Sequence, residues 1–212
     1  MKLSSEQISI CIEKVRDQWM DAIELKKECL TGSYLNTLVS MAEVAIRAIA
    51  KGGKLMLCGN GGSAADAQHL ACELLVRLRS HTNREAIPAM SLLLDTSTIT
   101  ACANDYGYEC LFERMVQGLG KPEDVLLGLT TSGRSVNVIR ALKAARKRGI
   151  ATMGFLGGDG GLTLQECDLS IIVPSSDPNR VQEIHITLGH ILMDLIEDLA
   201  INQKLVQRIE NS

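Results

Sequence analysis

From residue 53 onward, short apolar runs alternate with helix-length amphipathic stretches, and this alternation restricts the fold more than any other feature. The runs are KLMLCG, AMSLLL, DVLLGLT, ATMGFLG and LSIIVP. Helical segments are predicted near 62–79, 96–117 and 135–149, and a long one closes the chain from about 178 to 207. Continuous apolar runs suit strands buried on both faces, and strands joined by helices run parallel. The predicted class is therefore α/β, a three-layer sandwich around a central parallel sheet. Residues 5–51 read as two helices separated by Thr31-Gly32-Ser33. Ile8, Ile12, Val15, Trp19 and Ile23 follow a 3.6-residue spacing, as do Leu35, Leu38, Val39, Ala42, Ile46 and Ile49. The expected organisation is one domain over 1–212, an N-terminal helical hairpin (1–51) followed by an α/β core with a long closing helix (52–212). No linker divides it.

A chain of 212 residues can bury a full core, roughly 70% of its unfolded surface. Aromatics are only 3% of it, so that core must be aliphatic. The 22 basic and 25 acidic residues leave a net charge of -3, which gives no support for nucleic-acid or membrane-surface binding. No apolar run approaches the roughly 18 residues that span a bilayer. The N-terminus, MKLSSEQISICIEK, lacks an apolar signal core, so the expected location is the cytoplasm. The 7 cysteines are scattered with no CxxC pair, as expected of free thiols in a reducing compartment.

In open α/β sheets ligands bind beyond the carboxyl ends of the strands, so the loops there are the place to look. Two qualify on composition. The first, Cys58-Gly59-Asn60-Gly61-Gly62-Ser63, leads into a helix that Ser63 is placed to cap. The second, Thr130-Thr131-Ser132-Gly133-Arg134-Ser135, gathers four hydroxyls at a helix N-terminus, where free amides and the dipole favour an anion. Hydroxyls also cap helices, and that alternative stands beside the first. Neither loop is a GxxxxGK[ST] nucleotide loop, and GNGGSA is not GxGxxG. Phosphate held by hydroxyls and amides without lysine suits a phosphosugar better than a nucleoside triphosphate.

His69 and Glu73, at i and i+4, share one helical face just after the first loop, among mostly apolar neighbours. In the closing helix Val181, Ile184, Leu188, Ile191, Leu195 and Leu199 form a predicted core stripe, within about 60° of Leu188. Gln182, Ile186, Gly189, His190 and Met193 lie on a second, semi-apolar face expected to pack against another element or subunit. Spacing alone does not pair Gln182 with His190, since Glu183 lies closer to it around the axis.

CGNGGSAADAQHLACEL, ANDYGY, TTSGRSVNVI and RVQEIHITLGHIL together resemble the phosphoheptose isomerases, which belong to the sugar isomerase (SIS) class with its flavodoxin-like fold. The likeness covers nearly the whole chain. TSGxS marks a phosphosugar-binding domain, and the pairing of QHxAxEL with QEIHIxxxH is more specific. The resemblance implies conversion of sedoheptulose 7-phosphate to D-glycero-D-manno-heptose 7-phosphate through a cis-enediol, the first step toward nucleotide-activated heptose. It implies a substrate site from Asn60, Gly61, Gly62, Ser63, Glu73, Asn104, Asp105, Thr130, Thr131, Ser132, Ser135 and Gln182. Glu73 and His190 become the acid/base pair. His69, Glu73, Gln182 and His190 become ligands of one divalent metal, taken as zinc. It implies a homotetramer too, leaving open whether His190 meets Glu73 of its own or of a neighbouring chain. Arg134 departs from the asparagine of the family pattern, which bears on substrate affinity rather than reaction class.

The chemistry fits these residue types. Ketose–aldose interconversion needs one group at the carbons and one at the oxygens, and Glu73 and His190 supply a carboxylate and an imidazole. Two histidines and a glutamate are ordinary zinc ligands, whereas glutamine is not. A firmly bound ligand cannot also be a free base. Two other readings are a non-catalytic SIS protein that binds a replication initiator, and an isomerase of another sugar, such as arabinose 5-phosphate. The first kind lacks matches to Glu73 and His190, and the second does not usually carry the closing-helix motif.

Overall fold

The computed structural model describes residues 2–30, 33–93 and 95–209. Five parallel strands form its centre: β1 (Leu55–Cys58), β2 (Ala89–Ser91), β3 (Val125–Thr130), β4 (Ala151–Gly157) and β5 (Leu169–Val173). Their order across the sheet is β2-β1-β3-β4-β5, and each lies inside one of the apolar runs. The helices are α1 (Ser5–Glu28), α2 (Ser33–Ala50), α3 (Gly62–Leu75), α4 (Thr96–Asp105), α5 (Leu111–Leu119), α6 (Val136–Lys147) and α7 (Pro178–Asn202).

Alternate strand residues feed opposite layers, the period-2 consequence of the pleat. Leu55 and Leu57 of β1 join a core beneath α2, α3 and α7, whereas Met56 and Cys58 join a second core beneath α4, α5 and α6. All the residues of β1 and β3 are buried, which is why they read as unbroken apolar runs. Both cores are aliphatic apart from Phe112 and Phe155 and the margin residue Tyr34.

Three expectations need correction. The helix predicted over 96–117 is broken: α4 ends at Asp105, and a 3₁₀ turn at Tyr108–Cys110 precedes α5. Gly107, at φ 90, makes the break, because that left-handed backbone cannot continue a helix. The core stripe of α7 is rotated from the predicted one. Val181, Ile184 and Leu188 are buried, but Ile191 is exposed, and Gly189 and Met193 belong to the core. The cause is α3, which covers the flank of α7 that the periodicity left open. Finally, α3 and α7 stop at Leu75 and Asn202, short of the predicted ends.

The N-terminal helices divide their labour unequally. α2 buries Leu38, Met41, Ala42, Ala45, Ile46, Ala48 and Ile49, while α1 buries Leu25 alone. Ile8, Ile12, Val15, Trp19 and Ile23 are all exposed, although their spacing is that of a packed stripe. Thr31 and Gly32 of the predicted break lie outside the described residues, and α2 begins at Ser33. No helix among the described residues is long and apolar enough to cross a membrane.

Candidate active site

The chain leaves β1 toward β2 on one side and enters β3 on the other, so the sheet's topological switch point lies between β1 and β3. A crevice opens at such a point beyond the strand ends. Both loops singled out from sequence stand there. Asn60 and Asn137 tie them together in a reciprocal amide pair, each Nδ2 donating to the other's Oδ1 at 2.8 Å. The Tyr108 hydroxyl donates to Asn60 Oδ1 at 3.0 Å and so docks the segment after α4 against the first loop.

The second loop does not spend its hydroxyls on capping. Ser135 occupies the N-cap position of α6, yet its side chain makes no cap bond and lies 2.9 Å from Thr130 Oγ1. Ser132 Oγ is 3.4 Å from that same Thr130 oxygen and accepts the Arg134 backbone N–H at 3.2 Å. Three hydroxyls thus cluster at a helix N-terminus, the composition an anion needs. Thr131 is half-buried beside them. Ser63 does not cap α3, contrary to expectation. The cap falls two residues earlier, at Gly61, and Ser63 is buried inside the first turn.

The titratable centre is built by α3 and α7. Gly189 of α7 faces Leu70 of α3, and a Cβ there would fall 2.5 Å from a Leu70 methyl, so any larger residue makes Leu70 shift. That approach brings His190 over the α3 face carrying His69 and Glu73. His69 Nε2 lies 3.1 Å from Glu73 Oε1 and 2.8 Å from His190 Nε2, with the rings edge to face at 85°. Only one of the two nitrogens can carry the proton between them. His190 meets His69 and Glu73 of its own chain.

Gln182 reaches the start of α3 from α7. Its Nε2 donates to Asp66 Oδ1 at 3.3 Å, and its amide packs where a Cβ on Gly62 would sit. Asp66 is buried and its Oδ2 has no protein partner. Burial raises its pKa, while the Gln182 bond and the charges of His69 and His190 oppose the rise. Residues 66, 69 and 73 share one face of α3, so Asp66 was within reach of sequence reasoning, which passed over it. Asn137 and Tyr108 were missed as well. Asn104 and Asp105 bond to each other at 2.7 Å, exposed at the end of α4, and no hydrogen bond joins them to either loop.

His69, Glu73 and His190 place one ligand atom each within 4.8 Å of one another, the one such cluster among the described residues. Two imidazole nitrogens and a carboxylate oxygen are a donor set suited to a zinc-like ion. With Gln182 Nε2 committed to Asp66, the amide oxygen is the atom left to offer a cation.

Comparison with known proteins identifies the family. The SIS domain family matches residues 18–157. A phosphoheptose isomerase of Chlorobium phaeobacteroides is 49% identical over 186 residues, 87% of this chain and 82% of its own. One from Clostridium acetobutylicum is 45% identical over 90% of this chain and 97% of its own. Among solved structures, a phosphoheptose isomerase from Neisseria gonorrhoeae superposes with a TM-score of 0.82 at 37% identity, covering 89% of this chain and 99% of that one. Another, from Francisella tularensis, gives 0.84 at 31% identity over 89% and 98%. With its fold and most of its length shared with these enzymes, the chain belongs to the phosphoheptose isomerase family of SIS-domain proteins.

Proposed function

We propose that the protein interconverts sedoheptulose 7-phosphate and D-glycero-D-manno-heptose 7-phosphate through a cis-enediol. The observation that carries this reading is the convergence of Glu73, His69 and His190 in a chain whose loop after β3 gathers three hydroxyls at a helix N-terminus. The substrate's phosphate sits among Thr130, Thr131, Ser132 and Ser135, and its chain runs past Asn60, Gly61, Gly62 and Ser63 toward α3. Glu73 takes the C1 proton as O2 gains one, forming the enediol. It then returns a proton to C2 as O1 gives one up, and His190 carries the protons at the oxygens. One carboxylate can serve both carbons because a cis-enediol presents them on one face.

His69, Glu73 and His190, with the Gln182 amide oxygen, are the residues that would hold a divalent ion, zinc in this reading. Such an ion supplies Lewis acidity at the sugar oxygens. A Glu73 bound to such an ion would not be free to take a proton, so either the ligands exchange during turnover or the ion is structural or inhibitory. Asp66 keeps Gln182 oriented. Asn104 and Asp105 belong to the substrate site only if the sugar or a neighbouring chain reaches the end of α4.

The exposed apolar stripe of α1 supports a homo-oligomer, a tetramer of dihedral symmetry in this reading. Seven free cysteines support a reducing compartment, the cytoplasm in this reading.

The test is incubation with sedoheptulose 7-phosphate, watching for the aldoheptose phosphate. Glu73→Gln and His190→Gln should each lower turnover by roughly 10² or more. Wild-type protein that leaves the ketose unchanged, or near-normal turnover in both variants, would overturn the reading.

A further inference from the structure

Residues 125–139 contain a single charged side chain, Arg134, in the middle of the hydroxyl loop. Its backbone N–H is already bonded to Ser132 Oγ at 3.2 Å, so the residue belongs to the cluster. Its guanidinium, however, is turned to the neighbouring loop after β4, where Nη2 meets Asp159 Oδ2 at 2.7 Å. The frame around this pair is fixed. Thr163 donates to Gly133 O twice, from its amide at 3.0 Å and its hydroxyl at 2.7 Å. Asp159 Oδ1 accepts the Gly161 N–H at 2.9 Å, and the Arg134 stem lies against Gly161. Within that frame both ends of the ion pair are open to solvent, with side-chain exposures of 59% and 69%. An exposed pair is held weakly, and a phosphate dianion offers the guanidinium more charge and a matching bidentate geometry.

We infer that Arg134 and Asp159 form a charge gate at the phosphate loop. Arg134 releases Asp159 to clasp the substrate's phosphate, and Asp159 sets the affinity by competing for the same guanidinium. Nothing but the arginine side chain has to move, because a phosphate bonded to Ser132 lies within one side-chain length of it. The inference rests on the phosphosugar reading of the loop. It makes Arg134 an affinity-determining residue and gives its acidic neighbour the opposite sign.

Opposite signs are the test. Inorganic phosphate is titrated calorimetrically into the whole protein, and KM for sedoheptulose 7-phosphate is measured alongside. Arg134→Asn should weaken phosphate binding about fivefold or more and raise KM by a similar factor, as expected for loss of a charge-assisted contact. Asp159→Asn should tighten phosphate binding about two- to fivefold, and the double variant should behave like Arg134→Asn. If both single variants shift binding in the same direction, the pair is only a latch between loops, and the inference fails. It fails equally if Arg134→Asn stays within twofold of wild type. Phosphate binding is read without turnover, so an inactive wild type showing the opposite-sign pattern would count against the isomerase reading and leave the gate standing.

Discussion

His185 shows how burial decides what a single residue does. It sits three positions after Gln182 and five before His190, yet it takes no part in their cluster. Its side chain is fully buried against Phe155, with Nε2 3.1 Å from the Leu156 carbonyl and Nδ1 unpartnered. Burial holds its pKa down to about 4, against an ordinary 6.5, and the Leu156 bond offsets this only in part. The sign follows directly. Between those two values the unfolded chain binds a proton that the folded chain refuses, so stability falls as pH drops through the window, by up to about 3 kcal/mol. Below the folded value the loss stops growing. His185→Gln keeps a donor for Leu156 but does not titrate. Denaturation midpoints measured from pH 7 to pH 4 should therefore fall more steeply for wild type than for this variant. Parallel slopes would show that His185 is not the group responsible.

At the scale of elements, two contacts place the chemistry. One is the glycine crossing of α7 over α3. Gly189→Ala gains about 1 kcal/mol of helix propensity but meets the fully buried Leu70, and overpacking of that kind costs about 1–3 kcal/mol. The net loss of stability should therefore be modest. Activity should suffer more, since any separation of the helices carries His190 away from His69 and Glu73. A Gly189→Ala protein that is stable and fully active would show that the close crossing is not needed to align the site. The other contact is the hydroxyl cluster after β3. In the proposed reading Ser132→Ala removes one phosphate partner and should raise KM about ten- to hundredfold with a smaller change in kcat, the cost of one hydrogen bond to a charged group. Equal kcat/KM for heptulose with and without its phosphate would refute the assignment of this loop.

For the whole molecule, the telling feature is the exposed apolar stripe of α1. Trp19 is 69% exposed, in line with four other apolar residues spaced for packing. Trp19→Glu should convert an oligomer into smaller species in light scattering, and an unchanged oligomer would remove α1 from the interface. Mixing Glu73→Gln with His190→Gln chains should restore no activity, because the structure assembles both residues on one chain; recovery would mean the site is shared. How much of this the sequence determined follows from range. The five strands, the parallel sheet and the hydroxyl-rich loop after β3 were legible because periodicity and composition act within a few residues, and each strand lies inside its apolar run. The i, i+4 placement of His69 and Glu73 was legible for the same reason. What lay beyond reach were contacts set by packing between distant segments. His190 meets His69 across 121 residues, Asn60 pairs with Asn137 across 77, and Asp66 gains its role only because Gln182 arrives from 116 residues away. The face that α7 buries was misread because helical periodicity reports how many sides are apolar, not which neighbour covers them. Local spacing thus determined the elements and the chemical types they carry; only the tertiary crossing of α3 and α7 decided which of those groups meet.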